Sequence, residues 1–100
     1  MGSSSRGCVA VVTGASKGLG RELTLALLRR HISVIAVARS ADKLEAMRNE
    51  ALAASLGQAH FFPCVADIAT ELGMWQVEAC LAQTGMVLLT LINNAGTLGP

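Results

Sequence analysis

Thr13-Gly-Ala-Ser-Lys-Gly-Leu-Gly20 is the stretch that decides the fold, and it directly follows the apolar run Cys8-Val-Ala-Val-Val-Thr13. An apolar run that ends at a glycine is typical of a strand buried on both faces of a parallel sheet. Residues 21–30 come next and are rich in helix-forming side chains. The stretch therefore predicts a strand, a glycine-rich turn and a helix in immediate succession.

The glycines of this turn have different expected tasks. Gly14 turns the chain off the strand, Gly18 lets backbone approach a pyrophosphate, and Gly20 lets the helix pack close to the strand. The free N–H groups at the start of the helix favour an anion there. A phosphate loop of the Gly-Lys-Ser/Thr type does not fit, because Lys17 precedes Gly18. We predict a nucleotide site, with a plain glycine-rich turn as the alternative.

The rest of the chain alternates between apolar runs and helical patterns. Further strands are predicted over residues 33–38, 60–65 and 86–92, with helices over about 41–56 and 70–84. This β-α-β-α-β-α-β pattern predicts the first portion of a Rossmann-type, doubly wound α/β fold, with a parallel sheet in strand order 3-2-1-4. Pro63 places the third strand at an edge or distorts it there. The fourth strand is expected to be an apolar edge that nothing covers on one side.

Composition limits the class of protein. The chain has 100 residues, of which 52% are hydrophobic and 15% charged, and its net charge is +1. We expect a flexible tail over residues 1–7 and one incomplete nucleotide-binding domain over residues 8–100. The balanced charge gives nucleic-acid binding little support, and no apolar run has the ~18 residues of a membrane helix. Cytoplasm is the expected location.

The cysteines and histidines show no pattern of a metal site. Cys8, Cys64 and Cys80 form no Cys-x-x-Cys pair, so neither a zinc site nor a redox pair is expected. We expect reduced thiols that behave as small buried hydrophobic groups. His31 and His60 have no ligand-spaced partner and are taken as structural or surface residues. Trp75 and the two phenylalanines are expected to pack in the core or against a helix.

The end of the second strand indicates which dinucleotide the site prefers. A fold that selects NAD usually has an acidic residue there for the ribose 2′-hydroxyl, but this strand ends in Ala38-Arg39-Ser40. Arg39 can pair with a 2′-phosphate through two hydrogen bonds, Lys17 can add a second charge, and Ser40 can donate a hydroxyl. We therefore predict NADP(H), although both cations could be ordinary solvated surface charges.

Two polar stretches follow the third and fourth strands. Asp67 could accept a hydrogen bond from an adenine amino group, or could simply cap a helix or close a turn. Asn93 and Asn94 end the fourth strand, where their amides can tie neighbouring strand ends together. Gly96 lets the backbone pass close to a ribose, but an ordinary turn fits these residues equally well.

In combination these motifs resemble the short-chain dehydrogenase/reductase family, over about Gly7 to Pro100. The resemblance rests on Thr13-Gly14-x-x-x-Gly18-x-Gly20, Asp67 and Asn93-Asn94-Ala95-Gly96, in the family's order and spacing. It implies that Gly14, Ser16, Lys17, Gly18 and Leu19 line the pyrophosphate and ribose, and that Arg39 and Ser40 hold the 2′-phosphate. It also implies that Asp67 and Ile68 flank the adenine, and that Asn94, Ala95 and Gly96 run along the ribose.

The resemblance also implies an enzymatic activity, but the chain lacks a catalytic residue that the family uses for it. Residues 14–21 and 91–99 are similar to family members that use NADPH to reduce a carbonyl on a pterin side chain, and the full-length form is expected to be a homo-oligomer. The family's proton donor lies in Tyr-x-x-x-Lys, and this chain has no tyrosine, so no residue here is given a catalytic role. We therefore expect the chain to be the N-terminal, cofactor-binding portion of such an enzyme. The alternatives are a non-catalytic truncated form that binds nucleotide or a partner subunit, and a family reductase with another carbonyl substrate.

Overall fold

The computed structural model describes residues 7–94, which form four strands and four helices. In chain order these are β1 (Cys8–Thr13), α1 (Gly18–Arg29), β2 (Ser33–Ala38), α2 (Ala41–Ala46), α3 (Arg48–Ser55), β3 (Phe61–Val65), α4 (Glu71–Thr84) and β4 (Val87–Asn93). Residues 1–6 of the predicted tail lie outside the described range. Gly7 accepts a backbone hydrogen bond of 3.0 Å from Val87.

The strands form one parallel sheet in the order β3-β2-β1-β4, which confirms the predicted topology. Val11 of β1 is in register with Ile35 of β2 on one side and with Leu91 of β4 on the other. Because all four strands run the same way, their carboxyl ends meet at one edge of the sheet. The turns after β1, β2 and β3 leave the sheet at this edge.

Apolar side chains pack on both faces of the sheet. One cluster joins β1 and β2 to α1, α2 and α3, with Leu28 and Leu44 fully buried. The other joins the opposite face of these strands to β3 and α4, with Ile35 fully buried. Every residue of β2 is buried, because it lies between two strands and beneath helices on both faces. The two layers of helices hold the carboxyl edge of the sheet in a fixed position.

Three local predictions about the helices need correction. The apolar pattern of the first helix predicts Leu23, Ala26, Leu27 and Leu28 on its buried side. The helix begins at Gly18 and buries Gly20, Thr24, Leu25 and Leu28, so Leu28 is confirmed, whereas Leu23 and Leu27 are half-buried and Ala26 is exposed. Thr24 is tolerated inside because its hydroxyl donates to the Gly20 carbonyl at 2.9 Å. The single helix predicted over 41–56 is two helices, because the N–H of Met47 bonds to the Leu44 carbonyl and tightens the chain there. Trp75 is 66% exposed on α4 instead of packed.

Ser40 and Thr70 cap the helices that follow them, and Gly85 ends α4 in the left-handed conformation. The expectations for the two edge strands are confirmed. β3, which contains Pro63, is an edge strand. β4 is the opposite edge, and most of its apolar side chains are exposed. No helix within residues 7–94 has the length and apolar character needed to span a bilayer.

Candidate functional site

A cleft of about 850 Å³ opens at the carboxyl edge of the sheet. Its lining comes from the turns that follow all four strands, so the fold itself gathers residues that are far apart in sequence. The lining residues are Gly14, Ser16, Lys17, Gly18, Leu19, Val37, Ala38, Arg39, Ser40, Lys43, Ala66, Asp67, Ile68, Ala69, Asn93 and Asn94. Ten of the predicted site residues are among them: Gly14, Ser16, Lys17, Gly18, Leu19, Arg39, Ser40, Asp67, Ile68 and Asn94. Predicted residues Ala95 and Gly96 lie outside the described range.

The N-terminus of α1 faces this cleft without a side-chain cap. Lys17 occupies the N-cap position in an extended conformation and makes no capping hydrogen bond, and the first turn contains no acidic residue. Gly18 has a φ of +59°, and a Cβ placed there would meet no atom within 4 Å. The first backbone N–H groups of α1 thus adjoin open space, where the helix dipole favours an anion.

Gly20 acts through packing and is not part of the lining. A Cβ at this position would lie 2.0 Å from the carbonyl oxygen of Gly14 and 2.8 Å from Nδ2 of Asn94. Any side chain would therefore push α1 away from the turn that leaves β1. This close approach matches the packing task predicted for Gly20 and keeps the start of α1 against the ends of β1 and β4.

Three cations line the cleft: Lys17 comes from the turn after β1, and Arg39 and Lys43 come from the segment after β2. Lys17, Arg39 and Lys43 are all exposed, and none has a carboxylate partner among residues 7–94. Among the described residues, Asp67 is the one acidic side chain that lines the cleft, and it follows β3, whereas β2 ends at Ala38 without an acidic residue. Unpaired cations in such a cleft suit an added phosphate group and not a bare ribose hydroxyl.

Ser40 has a structural task that leaves it available to a ligand. Its Oγ accepts a hydrogen bond of 3.2 Å from the backbone N–H of Lys43, which caps α2. The Ser40 hydroxyl hydrogen is not used by that bond and can be donated to an oxygen of a ligand. The same cap fixes the first turn of α2, and Lys43 follows on it. Sequence reasoning missed Lys43, although its place three residues after an N-cap serine was a usable signal.

Asp67 closes a turn, one of the two tasks that the sequence left open for it, and it also lines the cleft. Its Oδ1 accepts from the backbone N–H of Ala69 at 3.0 Å, and its carbonyl oxygen accepts from the hydroxyl of Thr70 at 2.8 Å. These bonds make it a turn residue that shapes the entry to α4. Asp67 and half-buried Ile68 also line the cleft, and the second carboxylate oxygen of Asp67 accepts no bond from the described residues.

A hydroxyl–amide link ties β1 to β4 beneath the cleft. The Thr13 hydroxyl donates to Oδ1 of Asn93 at 2.9 Å and accepts from the backbone N–H of Asn94 at 2.9 Å. This link confirms that an asparagine at the end of β4 joins neighbouring strand ends. No group of three or more His, Cys, Asp or Glu side chains that could hold a metal ion occurs within residues 7–94.

The short-chain dehydrogenase family model matches residues 8–100, which is almost the whole chain. The chain belongs to the short-chain dehydrogenase family. Among its relatives in this family is the sepiapterin reductase of Meriones unguiculatus, 39% identical over 99% of this chain. The NADPH-dependent pterin aldehyde reductase of Arabidopsis thaliana is 33% identical over 88% of this chain.

Solved structures support the same fold. The L-sorbose reductase of Gluconobacter frateurii, in complex with NADPH and L-sorbose, aligns with a TM-score of 0.83 and 27% identity over 93% of this chain. The chain spans only 40% and 35% of the length of the two relatives named above, and 35% of the sorbose reductase chain. The chain therefore matches only the N-terminal part of these longer relatives.

Proposed function

We propose that the chain is the cofactor-binding portion of an NADPH-dependent carbonyl reductase of the short-chain dehydrogenase family. The single observation that carries the cofactor preference is that three unpaired cations, Lys17, Arg39 and Lys43, line one cleft. A relative and a structural neighbour whose names include NADPH support the same preference.

The proposed binding mode follows the cleft from one strand end to the next. The N-terminus of α1, with Gly18 at its start, holds the pyrophosphate. Arg39 and Ser40 hold the 2′-phosphate together with the neighbouring lysines, because several donors can share its charged oxygens. Asp67 and Ile68 flank the adenine. When bound, NADPH supplies the hydride for carbonyl reduction, and this chain binds and orients it.

The proposed substrate is a carbonyl compound similar to a pterin bearing a side-chain ketone or aldehyde. Two relatives with pterin substrates in their names support this class. The 100 residues contain no tyrosine, and the proposal therefore assigns this chain no proton-transfer role. A cytoplasmic location and a homo-oligomer of the intact protein stay predictions.

The test of the cofactor preference is the substitution Arg39→Asp in the intact protein. Titration calorimetry with NADPH and NADH should show NADPH affinity falling about 10- to 100-fold, since a charged hydrogen-bonding pair becomes a repulsive one. NADH affinity should hold or improve. The matched control is Arg30→Ala, which removes an exposed cation at the far end of α1. Unchanged NADPH affinity in Arg39→Asp would overturn the proposed phosphate site.

The substrate class needs a separate test. Oxidation of NADPH by the intact protein should be fast with sepiapterin and slow with L-sorbose, with a simple dicarbonyl as a third substrate. Turnover of the dicarbonyl alone would keep the reductase proposal and reject the pterin. NADPH binding without turnover of any carbonyl would favour a non-catalytic nucleotide-binding protein.

A further inference from the structure

The fold brings two cysteines together that the sequence places on separate elements. Cys64 lies on β3 and Cys80 on α4, and their sulfur atoms are 2.8 Å apart. The thiol of Cys80 points toward the sulfur of Cys64, whose own thiol donates to the Gln76 carbonyl oxygen at 3.9 Å. Both are free thiols. A disulfide has its sulfurs ~2.05 Å apart, so only a small movement separates this pair from bonding distance.

The surroundings give the two thiols unequal access to solvent. Cys64 is 2% exposed within the apolar cluster between the sheet and α4. Cys80 is half-buried and lines a surface cavity of about 290 Å³ beside Phe62 and Pro63. Burial and the neighbouring thiol raise the pKa of Cys64 to about 12. A small oxidant from solvent therefore reaches Cys80 more easily than Cys64, which is buried and stays a protonated thiol.

We propose that Cys64 and Cys80 form a redox-sensitive pair, which a peroxide converts into a disulfide that links β3 to α4. The sulfur of Cys80 attacks one peroxide oxygen and the O–O bond breaks, which gives a sulfenic acid and, with hydrogen peroxide, one water. The sulfur of Cys64 then attacks the sulfur of Cys80. The S–O bond breaks, and the hydroxide leaves with the Cys64 proton as a second water. The two thiols lose two electrons in total, and a thiol reductant returns them.

The position of the pair connects it to the cleft without depending on the proposed cofactor. The disulfide would close the segment that runs from β3 through Asp67 into α4, and residues 66–69 of this segment line the cleft. A covalent link between the two flanking elements restricts the segment they share. Oxidation is therefore expected to slow amide hydrogen exchange across residues 66–70.

The test uses the intact protein carrying Cys8→Ser, which removes the exposed third thiol of this chain. The reduced protein is treated with hydrogen peroxide, alkylated, digested and analysed by mass spectrometry. The expected product is a cross-linked Cys64–Cys80 peptide pair, with the protein about 2 Da lighter because two hydrogens leave. Dithiothreitol should restore both thiols.

Two comparisons make the result specific to the fold. Disulfide formation should be on the order of tenfold faster in the folded protein than in guanidinium, because the fold holds the sulfurs together. With Cys64→Ser, Cys80 should be trapped as a sulfenic acid by dimedone. Equal rates in folded and unfolded protein would overturn the proposal. So would recovery of Cys64 as a free thiol beside a sulfinic acid at Cys80.

Discussion

The hydroxyl of Thr13, at the end of β1, donates a hydrogen bond of 2.9 Å to the side-chain oxygen of Asn93, eighty residues further along the chain. The backbone N–H of Asn94 donates to the same hydroxyl. One small side chain therefore holds the ends of the first and last described strands together, directly beneath the candidate cofactor cleft.

Replacing this hydroxyl should loosen the junction. Thr13→Val keeps the shape of the side chain but leaves the Asn94 N–H and the Asn93 amide oxygen without this partner. We expect the free energy of unfolding to fall by about 1–2 kcal/mol. Thr13→Ser retains the hydroxyl and is the control. Denaturant unfolding of both variants checks this, and equal stability of the valine and serine variants would contradict it.

The close packing at Gly20 predicts a strong effect from a single methyl group. In Gly20→Ala the added Cβ meets the Gly14 carbonyl oxygen at 2.0 Å, so α1 or the turn after β1 must move. We expect a loss of about 1–3 kcal/mol or more in stability. Gly18→Ala is the comparison, because its Cβ enters open space. It should lower the free energy of unfolding by only about 1 kcal/mol, the cost of placing alanine at a positive φ. Thermal unfolding should rank Gly20→Ala as the less stable variant.

Lys43, which the sequence did not single out, should contribute to cofactor choice. Lys43→Ala removes one exposed cation, and we expect NADPH affinity to fall roughly 3- to 10-fold at low salt, with NADH affinity unchanged. Lys43→Arg should retain the effect of the charge. Titrations at low and high ionic strength should show a smaller difference in NADPH affinity between wild type and Lys43→Ala at high salt, because salt screens the attraction between Lys43 and the 2′-phosphate. An equal loss for NADPH and NADH would place Lys43 away from the 2′-phosphate.

The buried Cys64 thiol should make the reduced protein less stable in alkali. Burial and the neighbouring Cys80 thiol raise the pKa of Cys64 from an ordinary 9.0 to about 12. Between these values the unfolded chain has lost a proton that the folded chain keeps, so rising pH favours unfolding. Denaturant unfolding at several pH values should show wild type losing more stability than Cys64→Ala across this interval. Parallel curves for the two proteins would rule out the effect.

The strands were the most predictable part of the fold. The predicted bounds of β1 and β2, Cys8–Thr13 and Ser33–Ala38, are those of the structure. These strands are buried on both faces, so each appears in the sequence as an unbroken apolar run between polar or glycine residues. The ten lining residues were also predictable, because parallel strands deliver their following turns to one edge.

The features that the sequence did not predict arise from how helices and strands pack against one another. The buried side of α1 was predicted only in part: Leu28 is buried as expected, but Thr24 is also buried, with its hydroxyl bonded to its own helix, which hydrophobicity does not reveal. Trp75 projects from the outer side of α4, which no described element covers. The contact of Cys64 with Cys80 arises from packing a strand against a helix, and no sequence spacing encodes that distance.

The two edge strands of the sheet differ in their capacity to pair with a further strand. β3 closes one border, where Pro63 has no N–H to offer a further strand. On the other border no strand within residues 7–94 pairs with the outer edge of β4, and most of its apolar side chains are exposed. An additional strand, from the same polypeptide or another copy, would find unpaired backbone groups beside β4. Two copies of residues 7–94 that paired through β4 would each cover the other's outer β4 edge, which is a closed contact of the kind that does not propagate into a fibre.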